Sequence, residues 1–372
     1  MLIVQKYGGS SVADVARIRA VAQRVARTRA RGDQVVVVVS AMGNTTHELL
    51  ALAREVSATP NRRELDMLIS VGERVSVALI AMALAELGVP ARSLTGSQAG
   101  IITDASHANA RVIEVRPDRV RACLAAGEVP IVAGFQGVSA DREVTTLGRG
   151  GTDTTAVVLA AALQAGECEI CSDVDGIWSA DPRTVPAAVK LSTLSLDEAL
   201  AMSRNGARIL YEEAVAWAHR EGITLRASAT AELGEGTVVR PAGHPLVTRV
   251  AAIVADDQLV LGSDAELAGL PGPCVRAAGP WGVLVDLRNL HAPVPGLERV
   301  ATLAVVGTRV GAEPSSLAQV IGAFERGLGR RPSVWWAGPD AVVAVVKVSE
   351  ASALERHLHF SLVRDSGIPS AS

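Results

Sequence analysis

Hydrophobic and polar positions divide the chain into two textures. Up to about residue 240, short apolar runs alternate with stretches in which apolar residues recur every three or four positions, the pattern of strands followed by helices. Residues 2–7 read as a strand and residues 12–31 as a helix with arginines on its outer face. Residues 35–39 are five consecutive valines. Such a β-branched run marks a strand buried on both faces, as in a parallel sheet covered by helices. The same logic predicts helices over 48–56, 64–88, 118–126, 154–163 and 196–222, and strands over 89–94, 100–103, 129–135, 168–172 and 223–227. Residues 139–143 read as a polar hairpin.

The stretch 234–244 is rich in Gly and Pro and reads as a boundary, which predicts one domain over 1–240 and another over 245–372. Beyond it the strands are shorter. Residues 297–307, 315–328, 333–336, 341–348 and 350–359 give the order strand, helix, strand, strand, helix. A poorer copy precedes it: 247–254, 259–262, a short 264–268 where a helix belongs, 274–277 and 281–286. The second domain thus reads as two weakly similar repeats, the first truncated.

Composition narrows the function classes. Lys+Arg 36 against Asp+Glu 39, a formal net charge of −3, leaves no basic excess for a nucleic acid or an anionic membrane. The apolar stretch 79–89 is broken by Glu86, so no membrane span is expected, and the chain enters its first strand without a leader pattern. The expected location is the cytoplasm. Cys168 and Cys171 have C-x-x-C spacing, but neither Cys123 nor Cys274 supplies a second pair. Reduced, buried thiols and no metal site are expected, and His357 and His359 read as helix positions.

Candidate chemistry centres on residues 145–153, Thr-Thr-Leu-Gly-Arg-Gly-Gly-Thr-Asp, running into the apolar helix. Glycines let the backbone approach an anion, and the following helix points its amides and positive dipole end at the loop. Arg149 offers a planar fork for a carboxylate or phosphate, and Asp153 can cap amides or orient a cation. A glycine turn before a capped helix, with Arg149 merely solvated, fits the same residues. Lys6, Gly8 and Gly9 at the end of the first strand suit a phosphate cradle, and equally a structural lysine beside a turn. Residues 40–46, Ser-Ala-Met-Gly-Asn-Thr-Thr, repeat the order of strand, small polar loop and helix.

Glu73 falls in the middle of the apolar stripe of the long helix at ~100° per residue, with Ser76 beside it. A buried charge needs a partner: an arginine such as Arg63 or Arg74, or a substrate ammonium group or metal. After the strand at 168–172, the loop carrying Asp173, Trp178, Asp181, Pro182 and Arg183 has a stacking face and a phosphate-suited arginine, although Asp-Gly and Asp-Pro pairs are also ordinary turn residues.

In order, Lys6-Tyr-Gly-Gly-Ser-Ser-Val, Ser40-Ala-Met-Gly-Asn-Thr-Thr, Ser70-Val-Gly-Glu-Arg-Val-Ser, Thr95-Gly-Ser-Gln-Ala-Gly, Thr145-Thr-Leu-Gly-Arg-Gly-Gly-Thr-Asp and Ser172-Asp-Val-Asp-Gly-Ile-Trp-Ser-Ala-Asp-Pro-Arg resemble the aspartate kinases. The resemblance spans essentially residues 1–240. It implies an α/β fold, the αβα sandwich of the amino acid kinase type with a mostly parallel sheet, followed by a C-terminal α+β region of ACT-like repeats. It also implies transfer of the ATP γ-phosphoryl group to the side-chain carboxylate of L-aspartate, with Mg²⁺ bridging the phosphates. Lys6 matches the family's catalytic lysine, Asp153 the residue that orients it, Arg149 the clamp on the aspartate α-carboxylate and Glu73 the holder of its ammonium group. Thr45, Gly150, Gly151 and Thr152 complete that pocket. Gly8, Gly9, Ser10, Ser40, Ser172, Asp173, Trp178, Asp181, Pro182, Arg183 and Arg208 match the ATP side, with Trp178 in place of a common tyrosine and Arg208 in place of lysine.

The second domain departs further. It has Glu313-Pro-Ser-Ser where the family has Pro-Gly, Gly338-Pro-Asp-Ala in place of a Ser-Glu-Ile strand entry, and no Asp-x-Pro-Gly turn in the first repeat. Weak or absent inhibition by lysine and threonine is therefore expected, in a homodimer serving a specialised pathway. Two alternatives stay open: a kinase of a related amino dicarboxylate, or a non-catalytic small-molecule sensor on the same fold.

Overall fold

The computed structural model describes residues 1–231, 236–242, 248–263, 275–289 and 297–363. The short element expected at 264–268, Cys274 and parts of the 234–244 stretch lie outside them. The chain forms two compact units, Met1–Ile177 with Ile209–Pro241, and Trp178–Arg208 with Ala242–Ser372.

In chain order the elements are β1 (Leu2–Tyr7), α1 (Val15–Ala30), β2 (Gln34–Val39), α2 (Thr45–Val56), α3 (Arg62–Ile69), α4 (Val71–Glu86), β3 (Ala91–Leu94), β4 (Ile101–Thr103), β5 (Val112–Val115), α5 (Asp118–Ala125), β6 (Val129–Ala133), β7 (Gln136–Val138), β8 (Val144–Thr146), α6 (Gly151–Leu163) and β9 (Glu167–Ser172). They continue with β10 (Thr193–Ser195), α7 (Leu196–Arg204), α8 (Glu212–Glu221), β11 (Leu225–Ala229), β12 (Thr237–Arg240), β13 (Ala252–Gly262), β14 (Val275–Gly279), β15 (Gly282–Asp286), β16 (Glu298–Val306), α9 (Pro314–Leu328), β17 (Val334–Gly338), β18 (Ala341–Lys347) and α10 (Val348–Leu358).

In the first unit the strands are hydrogen-bonded in the order β12, β11, β9, β1, β2, β6, β3. Every pair but β11 with β12 is parallel. The valines of β2 are buried on both faces, as the sequence predicts. Val35, Val37 and Val39 pack with Ile18, Val21 and Val25 of α1 and with Val77, Ile80 and Leu84 of α4. Alternate strand residues face the opposite way, toward α6, which packs on β1, β2 and β9. This is the expected sandwich. A smaller sheet, in the order β5, β4, β7, β8, carries the chain into the glycine loop.

Strand register fixes where the loops converge. Tyr7 lies opposite both Val39 and Cys171, and Val39 opposite Ala133, so β1, β2, β6 and β9 end at nearly one level. Hydrogen bonds join the residues just past that level: Ser40 N donates to Tyr7 O (3.1 Å), Gly134 N to Val39 O (3.0 Å) and Thr230 N to Ser172 O (2.7 Å).

Several expectations are corrected. Arg24 is not on an outer face. It is buried, with its guanidinium 2.5 Å from the Glu169 carboxylate and donating to Ala229 O, because an arginine can be buried when its fork is filled. The long helix is broken at Ser70, which ends α3 and starts α4, and Leu87 is exposed. By length and composition Arg62–Glu86 is nevertheless apolar enough to cross a membrane. Here α4 packs on α1, β3 and β6. The helix expected over 196–222 is two helices, with Gly206 between them at φ 107, where a Cβ would lie 2.6 Å from Asp256. Part of the supposed linker, Thr237–Arg240, is a strand. The strands expected at 247–254 and 259–262 are one strand with shifted register between Asp256 and Leu259.

The second unit holds an antiparallel sheet in the order β14, β15, β13, β16, β18, β17. Elements β16, α9, β17, β18 and α10 follow the strand and helix order read from 297–359. Val320 and Phe324 of α9 and Leu354 and Leu358 of α10 share one core with Ala301, Leu303 and Val305 of β16. A second cluster holds Leu259, Leu284, Val300 and Val345, against which pack Trp281 and Trp336, stacked with ring centroids 5.6 Å apart.

Candidate active site

The turn after β1 and the glycine loop before α6 form the floor of the first unit's carboxyl edge. A Cβ on Gly9 would lie 3.0 Å from Ala41 O, so a side chain there would press on the loop after β2, and Gly43 N donates to Gly9 O. Gly150 caps α6 in a left-handed conformation, φ 74, without a side-chain cap, and a Cβ there would lie 2.2 Å from the Tyr211 ring. The helix start is thus left to its backbone, with Gly151, Thr152 and Asp153 buried in its first turn. Uncapped amides and the dipole make this end a place for an anion.

Lys6 of β1 reaches that turn. Its Nζ lies 2.6 Å from Asp153 Oδ1, outside the directions of a regular hydrogen bond, so the contact is an ion pair. Thr152 Oγ1 accepts from Ser40 Oγ at 3.0 Å. Gly134, at the end of β6, lets this turn in: a Cβ would lie 2.5 Å from Thr152 Cγ2. Sequence reasoning noticed Gly134 only as part of a strand, and its close approach to Thr152 is a packing requirement of this turn.

Glu73 sits in the first turn of α4 and is 3% exposed. Its Oε1 accepts from Ala41 N at 3.1 Å, while Oε2 is buried with no hydrogen-bond partner. Among the described residues no arginine pairs with it. Arg63 instead engages Glu64 and Glu143, and Arg74 is exposed. Burial pushes the Glu73 carboxyl up to about 7, against the pull of its backbone hydrogen bonds. Thr45, at the start of α2, donates its hydroxyl to Met42 O at 2.7 Å. Arg149 is exposed in the glycine loop.

The other expected residues divide between the units. Ser10 follows Gly9, its carbonyl accepting from Arg17 Nη1 (2.6 Å). Ser172 ends β9 and Asp173 is exposed after it. Thr230, which no motif signalled, links the two: its hydroxyl lies 2.7 Å from Ser11 Oγ and donates to Ser172 O at 2.9 Å. Trp178, Asp181, Pro182, Arg183 and Arg208 belong to the second unit. There Asp181 grips Arg183 through both carboxylate oxygens, at 3.0 Å to Nε and 2.7 Å to Nη2, and Pro182, Arg183 and Arg208 are exposed. Cys168 and Cys171 are buried in β9, and burial raises both thiols.

In the first unit the arrangement can do three things. It can hold an anion against amides and Lys6, fix Lys6 through Asp153, and offer a buried, half-satisfied carboxylate to a small cation. Comparison with known proteins places the chain in a family. Residues 1–226 match the amino acid kinase family. The aspartokinase of Mycolicibacterium smegmatis is 48% identical over 293 residues, covering 77% of this chain and 70% of that one. The aspartokinase of Thermus thermophilus is 45% identical over 298 residues, 79% of this chain and 73% of that one. Among solved structures, E. coli aspartokinase III in complex with aspartate and ADP superposes with a TM-score of 0.80 at 22% identity, over 98% of this chain and 100% of that one.

Proposed function

This chain belongs to the amino acid kinase family, and we infer that it is an aspartate kinase, passing the γ-phosphoryl group of ATP to the side-chain carboxylate of L-aspartate to give 4-phospho-L-aspartate and ADP. The observation that carries the reading is the orphaned Oε2 of Glu73, a buried carboxylate oxygen that a substrate ammonium group satisfies.

The acceptor carboxylate is ionised at neutral pH, so no general base is needed. One of its oxygens attacks the γ-phosphorus, the bond to the β,γ-bridging oxygen breaks, and ADP leaves. Acceleration comes from position and charge. Lys6 neutralises charge on the transferring group, Gly8 and Gly9 offer amides, and Asp153 keeps Lys6 in place. Arg149 clamps the aspartate α-carboxylate while Glu73 holds the ammonium, with Thr45, Gly150, Gly151 and Thr152 as the remaining walls. Ser10, Ser40, Ser172 and Asp173 attend the nucleotide, as do Trp178, Asp181, Pro182, Arg183 and Arg208. Among the described residues no group of three or more His, Cys, Asp or Glu forms a metal cage. A Mg²⁺ would arrive with ATP, and Asp173, exposed where β9 ends, is a carboxylate that would face it. When bound, the ion neutralises charge on the phosphates.

The C-terminal unit, read as a divergent tandem ACT-like domain over 245–372, supports weak or absent inhibition by lysine and threonine. Homodimerisation, a cytoplasmic location and a specialised pathway belong to the same reading. Calorimetric titration with L-aspartate and with succinate, which lacks the ammonium group, tests the acceptor assignment. The wild type should prefer aspartate and Glu73→Gln should lose that preference; an unchanged preference in the variant overturns it.

A further inference from the structure

Residues 179–183 are fastened on two sides. On one side, Ser179 N donates to Val189 O (2.9 Å), Val189 N to Ser179 Oγ (2.9 Å) and Ile253 N to Ser179 O (2.8 Å). On the other, the end of α10 closes over the segment. His359, 1% exposed, places Nε2 at 2.8 Å from Ser179 Oγ, and the carboxylate of Glu355, 2% exposed, accepts from the Asp181 amide. Glu355 and His359 are four residues apart and so lie on one face of the helical turn, while Ser179 and Asp181 are two apart on the segment it faces. The Asp181 side chain holds Arg183, and its charge adds to the burial that raises the Glu355 carboxyl to about 7. The helix continues from His359 into a π-helical turn, His359–Val363, a local departure that is frequent at functional sites.

We propose that Glu355 and His359 are positioning residues for the nucleotide: from the C-terminal helix they set the register of residues 179–183 and thereby the place of Arg183. Apolar side chains would fill the same space without the expense of burying a carboxylate and an imidazole. What the polar pair adds is direction, since each fixes one polar group of the segment. The proposal rests on the reading that Trp178, Asp181, Pro182 and Arg183 contact ATP.

Steady-state kinetics on the full chain test it. Glu355→Ala should raise KM for ATP about tenfold and leave KM for aspartate within about twofold, as loss of one charge-assisted hydrogen bond implies. Glu355→Gln keeps an oxygen that accepts the same amide bond and should stay near wild type. Arg183→Ala is the control on the underlying reading. If it raises KM for ATP while Glu355→Ala and His359→Ala do not, the positioning role is overturned and the nucleotide contact stands. If Arg183→Ala changes nothing, the nucleotide reading fails and the proposal falls with it. Equal rises in both KM values for Glu355→Ala, without rescue by Gln, would mark a purely structural role and also overturn it. Should Glu355→Ala fail to fold, Ser179→Ala removes only a hydroxyl. A rise of about threefold in KM for ATP supports the proposal, and no change contradicts it.

Discussion

Lys6 Nζ and Asp153 Oδ1 are 2.6 Å apart, joining the carboxyl end of β1 to the first turn of α6. The pair brings together the two anion-handling features of the edge, the diglycine turn and the uncapped helix start, and aims the lysine between them. Lys6→Met should lower kcat by on the order of 10³, as loss of one preorganised charge does. It should also destabilise the fold by roughly 3–5 kcal/mol, because Asp153 is left buried and charged. Adding Asp153→Asn should recover stability without recovering turnover. Thermal unfolding alongside kcat separates the two effects, and a double variant that regains activity would contradict the assignment.

Glu73 should trade stability for binding. Its folded-state pKa, about 7, lies above the ordinary 4.5, so protonation favours the fold. That stability is fully present below about pH 4.5 and is lost as pH rises through about 7. Glu73→Gln should therefore raise stability at about pH 8 by on the order of 1–3 kcal/mol, a gain that shrinks toward pH 4.5, while raising KM for aspartate about a hundredfold. In the wild type, KM for aspartate should climb as pH falls below about 7, since the ammonium group needs the ionised carboxylate. Chemical denaturation across pH, with KM on the same preparations, checks both halves. A variant less stable at high pH would refute the buried-charge account.

Gly150 is fixed by both backbone and space. Gly150→Ala places a methyl group in the Tyr211 ring at φ 74, a cost of at least about 1–3 kcal/mol. Since the glycine loop moves with it, kcat/KM should fall far more than Tm. Gly88→Ala, at φ 71 with nothing within 4 Å, is the matched control and should affect stability alone.

Why some of this was legible in the sequence, and some not, follows from the range of each interaction. Five valines announce a doubly buried strand whatever surrounds them, and the phase of Glu73 against the stripe of α4 is a local property. Both readings held, and the orphaned Oε2 fits one of the partners left open for Glu73 rather than Arg63 or Arg74. Arg24 looked like a surface residue because helical phase alone cannot show that Glu169, on a strand far along the chain, fills its guanidinium fork. The breaks at Ser70 and Gly206 were missed because apolar spacing runs straight through them. Thr230 and Gly134 carry no pattern of their own; only the meeting of loops at the edge gives them a role.

Regulation can be checked independently. With saturating substrates, millimolar lysine plus threonine should leave the rate unchanged, as the proposed reading of 245–372 as divergent ACT-like repeats predicts. Strong inhibition would show that the effector response survives.

The central claim is tested most directly by ADP release from purified protein with ATP and Mg²⁺, with and without L-aspartate, alongside the Lys6→Met variant. Aspartate-dependent turnover that collapses in the variant is the predicted result. ATP binding without aspartate-dependent turnover would contradict the account and point to another acceptor or to a sensor.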